Sequence, residues 1–354
     1  MAKPTCLFVA GSDSNPGVGR TDGKNRVLGN NDLYRLLGAV VPRPPRLQLT
    51  ADFFDRPNLP DLSPYRCLIN QISDPDQNPK VLENLRRLVR EFTGRVINHP
   101  DDVFKSTRDG MAKQLEGTRG LYVPKVVRLQ VGSRHDVVET IEGAGLSFPI
   151  ILRRAGTHAG HILGLFANMD DLQRALPSQG ELIATQFVDF RSADGLYRKY
   201  RVFVFGRSIV LRHMLASDEW NIHARARKSF MIGRSDLRDE ERRMLERPRH
   251  ALDSSIEETL KAARKRVGLD YFGMDFGIDR DGTIVLFEAN ATMNFFPFSA
   301  DPEFGYVRHC IPIARRACRA LIPELFPHTV QNARNRGAGT PRGDAAICGT
   351  PRHS

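Results

Sequence analysis

Hydrophobic and polar positions along this chain switch between strand-like and helix-like periods, and the switches mark out its elements. Residues 6–10 form a short apolar run closed by Gly11, the pattern of a buried strand. Residues 11–29 are rich in Gly, Asn and Asp and read as a long loop. That stretch lacks both the Gly-Lys-Ser/Thr ending of a phosphate loop and a regular G-x-G-x-x-G, so a surface loop is the favoured reading. Pro42, Pro44 and Pro45 mark another irregular stretch. A strand at 67–72, a helix at 80–92 and a strand at 95–98 follow. In that helix Val81, Leu82, Leu85, Leu88, Val89 and Phe92 share one stripe, Asn78 is placed to cap it, and Pro79 suits its first turn.

A second unit begins near His99-Pro100. Residues 101–115 read as one helix, 122–129 as extended chain and 136–143 as a helix. A strand at 149–153, a glycine-rich turn and a strand at 162–166 come next, and Asn168 caps a helix with Asp170 and Asp171 in its first turn. Strands are expected near 182–188, 199–205 and 208–214, then a long basic helical stretch, a hairpin and a helix near 312–325. The predicted division is therefore 1–98, 99–180, 181–326 and a tail at 327–354. The tail is polar, rich in Gly, Arg and Thr, and too poor in large apolar residues to build a core.

Composition narrows the classes. The 354 residues are 41% hydrophobic and 26% charged, as in an ordinary globular protein. No apolar run approaches the roughly 18 to 20 residues of a membrane-spanning helix, and no secretory signal opens the chain. Cys6, Cys67, Cys310, Cys318 and Cys348 are odd in number and widely spaced, without a C-x-x-C, which points to reduced thiols in a cytoplasmic protein. The net charge of +11 suits nucleotides and acidic substrates as well as nucleic acid. The basic residues are spread over helices without interleaved aromatics, so nucleic acid is not the expected partner. A homo-oligomer is compatible with the sequence.

The most informative segment is 271–290, YFGMDFGIDRDGTIVLFEAN. Asp281-Gly282 suits a two-residue hairpin turn, because both positions tolerate positive φ. That turn would place Asp275 opposite Glu288 and Gly273 opposite Asn290, with Phe276 meeting Phe287 and Ile278 meeting Val285. Facing carboxylates repel unless a positive charge lies between them, and two carboxylates with an amide oxygen suit Mg²⁺. An exposed hairpin face carrying acids would look the same, and on the hairpin alone the two readings stand about even. The apolar surroundings of Glu288 and Asn290 tilt the reading towards function.

This hairpin resembles the metal-binding end of the ATP-grasp superfamily, which includes D-alanine–D-alanine ligase, glutathione synthetase and ribosomal-protein glutamate ligases. There an Asp on one strand and a Glu-x-Asn on the next hold magnesium; Asp275, Glu288 and Asn290 match those positions. Other segments follow in family order over roughly residues 65–325. Thr107-Arg108-Asp109 resembles the entry to the first ATP lobe, with Gly110 where many relatives carry lysine and Arg108 or Lys113 as its candidate substitutes. FPIILRRAGTHAG at 148–160 resembles the strand and glycine-rich loop that close over ATP. Arg153 stands in the lysine position, and Gly156, Thr157, His158 and Gly160 lie in the loop.

The segment ATQFVD at 184–189 resembles the chain whose backbone pairs with adenine, namely Gln186, Phe187 and Val188, with Gln186 replacing a glutamate. Arg201 matches the arginine of the Asp-x-Arg strand, and Lys199 takes the aspartate position. The loop at 217–231, with Trp220, His223, Arg225, Arg227 and Lys228, is a candidate for substrate recognition. The resemblance implies an N-terminal Rossmann-like α/β domain before two α+β lobes of an ATP-grasp fold. It also implies ATP and Mg²⁺ as cofactors, and a ligase joining a small-molecule or peptide carboxylate to an amine or thiol through an acyl-phosphate. Arg153 and Arg201 would stabilise the transferring phosphoryl group. A kinase-like phosphotransferase and a nucleotide-binding regulator without turnover remain open at this point.

Overall fold

A computed structural model describes residues 5–14, 18–21, 24–27, 29–38, 43–132, 134–157, 161–247 and 252–326. His158, Gly160 and the tail at 327–354 lie outside these residues. The first unit contains β1 (Cys6–Gly11), the hairpin of β2 (Val18–Thr21) and β3 (Lys24–Val27), α1 (Leu33–Leu36), β4 (Arg46–Leu49), β5 (Cys67–Asn70), α2 (Pro79–Leu88) and β6 (Arg95–Ile97). Its sheet is wholly parallel in the order β4-β1-β5-β6, a doubly-wound start. The β2–β3 hairpin falls where the glycine- and asparagine-rich composition reads as loop.

Val81, Leu82 and Leu85 of α2 are fully buried, each contributing about 1.5–3 kcal/mol. The expected Asn78 cap is not made. Asn78 instead accepts from the N–H of Asp13 at 3.0 Å, and Asp13 caps the helix, accepting from Lys80 at 2.9 Å and Val81 at 2.8 Å. The first-turn donors are satisfied by a carboxylate from far along the chain.

The chain continues through α3 (Pro100–Phe104), α4 (Arg108–Leu115), β7 (Leu121–Tyr122), β8 (Val126–Val131), α5 (Arg134–Gly143), β9 (Ile150–Arg154), β10 (Gly164–Phe166), α6 (Met169–Arg174) and β11 (Gly180–Gln186). The single helix expected at 101–115 is broken in two. Thr107 caps the second piece, its hydroxyl accepting from Gly110 N–H at 3.2 Å. A Cβ at Gly110 would lie 2.4 Å from the Lys105 carbonyl oxygen, so the break needs glycine there.

Strands β8 to β11 form an antiparallel sheet in the order β10-β9-β11-β8, and with Val137, Ile141 and Leu172 they enclose a small core of their own. Asn168 caps α6 as expected, accepting from Asp171 N–H at 2.9 Å.

The remaining elements are β12 (Tyr197–Phe205), β13 (Ser208–Ser217), α7 (Ala226–Ser229), α8 (Ser235–Glu246), α9 (Ser254–Val267), β14 (Tyr271–Ile278), β15 (Ile284–Asn290) and α10 (Cys310–Leu321). They build a sheet in the order β13-β12-β14-β15-β7. Sheet and core membership cross the expected limits at 99–180 and 181–326. β11 pairs with β8 and β9 in the smaller sheet, whereas Val103, Met111, Leu115 and Leu121 belong to the large core that also takes in the first unit. α4 packs against β15 and α9 and α3 against α2, which periodicity within those helices cannot disclose.

Asn98, at φ 53°, ties the first unit to the large sheet. Its side chain donates to the Tyr271 carbonyl and accepts from the Tyr271 N–H, at 2.7 and 2.8 Å. The four described cysteines are free and buried, and no described helix is long and apolar enough to cross a membrane.

Candidate active site

Asp275 on β14 and Glu288 on β15 face each other, as do Gly273 and Asn290. They do so by two compensating shifts of one residue. The turn is a three-residue loop, Arg280 to Gly282, with Gly282 at φ 81°. Asp279 N–H donates to the Thr283 carbonyl, and the Asp279 carboxylate accepts from the N–H groups of Asp281 and Thr283, both at 2.9 Å. Near the turn Phe276 therefore meets Leu286, and Ile278 meets Ile284, rather than Phe287 and Val285. A β-bulge between Asp275 and Phe276 then absorbs Phe287 as an extra residue and restores the pairing at the carboxylates. A second irregularity lies beside Arg201, between β12 and β13. Both re-aim side chains at the same place.

Each carboxylate has a cationic partner. Arg201 donates to both oxygens of Asp275 from Nε and Nη2, at 2.5 and 2.6 Å, and Lys199 Nζ lies 3.6 Å from the same group. Arg108 pairs with Glu288 and donates to the bulge carbonyl of Phe287 at 2.7 Å. Arg153, on β9, is enclosed with its Nε unpartnered, and it shares a cavity with Asp76, Thr107, Arg108, Gly156 and Asn290. Burial first, and Arg108 next, push its pKa down to about 10 against the pull of Glu288. Burial also lowers the pKa of Lys199. Burial opposes the charge of Arg201 too, but the adjacent Asp275 outweighs it and raises the pKa. Of the two candidates for the role lost at Gly110, Arg108 lines this cavity and Lys113 does not.

Gly156 sits against the first unit, its carbonyl accepting from Gln77 Nε2 at 2.6 Å, while Thr157 Oγ1 donates to the carbonyl of Arg154 on β9 at 2.6 Å. The N–H groups of Gln186 and Phe187 are already committed to the carbonyls of Lys125 and Pro149, at 2.9 and 2.8 Å, so neither is free for a nucleobase in this arrangement. Phe187 meets Trp220 edge-on at 5.4 Å, and Val188 packs on the large core.

Sequence reasoning missed Arg128, which joins Asp109, Asp76 and Glu181 at 2.8, 3.0 and 2.9 Å and so ties the small sheet to α4 and the first unit. It also missed His213, opposite Arg201 on β13, whose Nε2 is enclosed without a partner. Burial, and then Arg201, Arg212, Arg227 and Lys199, hold its pKa well below the ordinary value. Neither residue stands in a local motif; only the pairing of distant strands collects them.

No family model matches the chain, and no curated protein matches it. Solved structures do. VanG D-Ala:D-Ser ligase from Enterococcus faecalis is similar with a TM-score of 0.51 at 12% identity, over 91% of this chain and 99% of that one. D-alanine–D-alanine ligase from Bacillus anthracis, complexed with ATP, gives 0.50 at 9% identity, over 94% and 100%. The ATP-grasp ligase PsnB gives 0.46 at 17% identity, over 91% and 98%. The fold is ATP-grasp.

Within the ATP-grasp fold, magnesium was the expected occupant of Asp275, Glu288 and Asn290. Among the described residues no group of three or more His, Cys, Asp or Glu gathers to hold a metal. Without a ligand, Asn290 Oδ1 accepts from the N–H groups of Thr292 and Met293, at 3.0 and 2.9 Å, and its Nδ2 donates to Glu288 at 2.5 Å, which orients that carboxylate. The two carboxylates still fit a small hard cation that completes its shell with phosphate and water. Arg201 and Arg108 pair with these carboxylates, and a bound polyanion would compete for the same arginines.

Proposed function

We propose that this chain is an ATP-dependent ligase that activates a carboxylate as an acyl-phosphate and passes the acyl group to an amine. One observation carries the reading. Asp275 and Glu288 face each other across two strands and are clasped by Arg201, Lys199 and Arg108, with Arg153, its Nε enclosed and unpartnered, beside them. Cations in excess of carboxylates, half-enclosed next to a glycine turn, suit a polyphosphate. The ATP-grasp fold supports the same reading.

Asp275 and Glu288 would hold Mg²⁺, with Asn290 fixing Glu288; the metal would neutralise charge on the phosphate oxygens. A substrate carboxylate oxygen attacks the γ-phosphorus, the bond to the β-phosphate oxygen breaks, and ADP leaves. Arg153, Arg108 and Arg201 stabilise the charge spread over the transferring group. The amine nitrogen then attacks the acyl carbon, the carbon–oxygen bond to phosphate breaks, and inorganic phosphate departs while the nitrogen loses a proton. Thr157 and Gly156 would close over the phosphates, and Phe187, Val188 and Trp220 would flank the base.

Trapping tests this. With Mg-ATP, hydroxylamine and a panel of amino acids and short acidic peptides, the accepted acid gives its hydroxamate and ADP in equal amounts. A stable phosphorylated alcohol as the product would replace the ligase with a kinase, and absence of ADP with every acid would remove turnover altogether.

A further inference from the structure

We propose that Arg128 and the turn at 74–77 form a latch holding the small antiparallel sheet against the first unit, and that nucleotide enters and leaves as this latch parts. The proposal rests on the reading of the Arg153 cavity as the nucleotide site. The small sheet is a body of its own: it encloses a separate core, and among the described residues no strand pairing joins it to another sheet. Polar contacts tie it to the first unit. On β8, Arg128 pairs with Asp76 of the first unit at 3.0 Å, while also holding Asp109 of α4 at 2.8 Å and Glu181 of β11 at 2.9 Å. Just after β9, the Gly156 carbonyl accepts from Gln77 Nε2 at 2.6 Å.

The first-unit half of the latch is pinned by its own hydrogen bonds. The Asp74 carboxylate accepts from the N–H groups of Asp76 and Gln77, at 3.0 and 3.2 Å, and the Asp74 carbonyl accepts from the N–H of Asn78 at 2.9 Å. That is an Asx turn leading into α2. The facing half is shaped to meet it. Gly156 has φ +66°, and a Cβ there would lie 3.3 Å from Asp76 Cβ and 3.5 Å from Gln77 Cγ. A side chain at Gly156 would be strained and would crowd the two turns.

The chemistry of the join makes it reversible. Arg128 and its three acidic partners are all partly exposed, so water replaces each ion pair at small cost. The apolar side chains of the small sheet, among them Leu129, Leu152 and Leu182, are buried in its own core and stay covered when the join opens. Position gives the join its consequence. Asp76 on one side of it, and Arg153 and Gly156 on the other, line the same cavity. Parting the latch therefore opens that cavity from the first-unit side, and an opening step of this kind commonly limits ligand exchange.

Stopped-flow fluorescence of the full chain with Mg²⁺ and N-methylanthraniloyl-ADP tests the latch. Gln77→Ala and Arg128→Gln should each raise both the association and the dissociation rate about fivefold or more, with the affinity changed less than about threefold. Arg128→Lys keeps the charge but loses the fork and should fall between. Without nucleotide, amide exchange in β9 and β10 should quicken in both variants while β12 and β14 stay protected. Gln77→Ala removes one neutral hydrogen bond, which keeps the test independent of the stability of Arg128→Gln. A residue that merely binds nucleotide changes affinity through dissociation alone, so faster dissociation with unchanged association would overturn the latch. Absence of binding by the wild type would remove the nucleotide reading itself, whereas binding with unchanged rates in either variant would overturn the latch alone.

Discussion

Replacing Arg201 by methionine isolates the electrostatic clasp at the centre of the site. The Asp275 side chain is 6% exposed and that of Arg201 is 24% exposed. Arg201→Met keeps a linear side chain of similar length but removes both charge-assisted bonds, leaving Asp275 with only Lys199 at 3.6 Å. Removing one partner of a buried pair costs about 3–5 kcal/mol, because the remaining charge stays desolvated. Partial exposure of Arg201 admits some screening, so the lower end, about 3 kcal/mol, is the expected loss.

The combined variant Arg201→Met with Asp275→Asn removes the desolvated Asp275 charge as well. It should recover all but about 1 kcal/mol, leaving the double variant roughly 2 kcal/mol more stable than the single one. Urea unfolding read by the fluorescence of Trp220, the chain's single tryptophan, measures all three proteins, with unchanged m-values as the condition for comparing them. A single-variant loss below about 1 kcal/mol, or a double variant no more stable than the single, would refute the claim that Arg201 neutralises a buried Asp275.

Glu288→Gln keeps the side-chain shape but removes its charge. The thermal-shift response to Mg-ATP should fall well below that of the wild type, and indistinguishable titrations would remove Glu288 from the metal set. His213 gives stability a pH dependence of known sign: unfolded, it takes up a proton as pH falls through about 6.5, whereas folded it stays neutral. The unfolded state binds more protons there, so stability is lost below pH 6.5, by up to about 1.4 kcal/mol per pH unit. His213→Gln should flatten that slope in urea melts between pH 7.5 and 5, and an unchanged slope would refute the assignment. Gly277→Ala would bring a Cβ to 2.6 Å from Phe190 and 2.8 Å from Phe287. The overpacking should cost about 1–3 kcal/mol, and equal urea midpoints for variant and wild type would show that these rings yield freely.

The amino-acid sequence by itself determined most local features of this protein. The apolar stripe of α2, the Asn168 cap, the alternation of strands and the order of the ATP-grasp segments are all written in neighbouring residues. Periodicity and turn chemistry act over a few positions and can be read there. The facing of Asp275 and Glu288 was also reached from sequence, though through a two-residue turn that is not made and a bulge at Phe287 that was not foreseen, whose effects cancel. The clue to the longer turn, Asp279 with its own backbone donors, was present but has no unique reading in one strand alone.

Tertiary structure decided the partners. Asp13 caps a helix more than sixty residues away. Arg108 reaches Glu288 across 180 positions, and Arg128 gathers three acids from a turn, a helix and a strand. β11 joins the smaller sheet, while α3 and α4 join the larger core. With 52 lysines and arginines against 41 acids, composition leaves the choice of partner wide open, since Coulomb attraction is not specific to any one residue. Which guanidinium meets which carboxylate is fixed only when strand pairing, bulges and burial bring them within about 3 Å in a place where water cannot screen them.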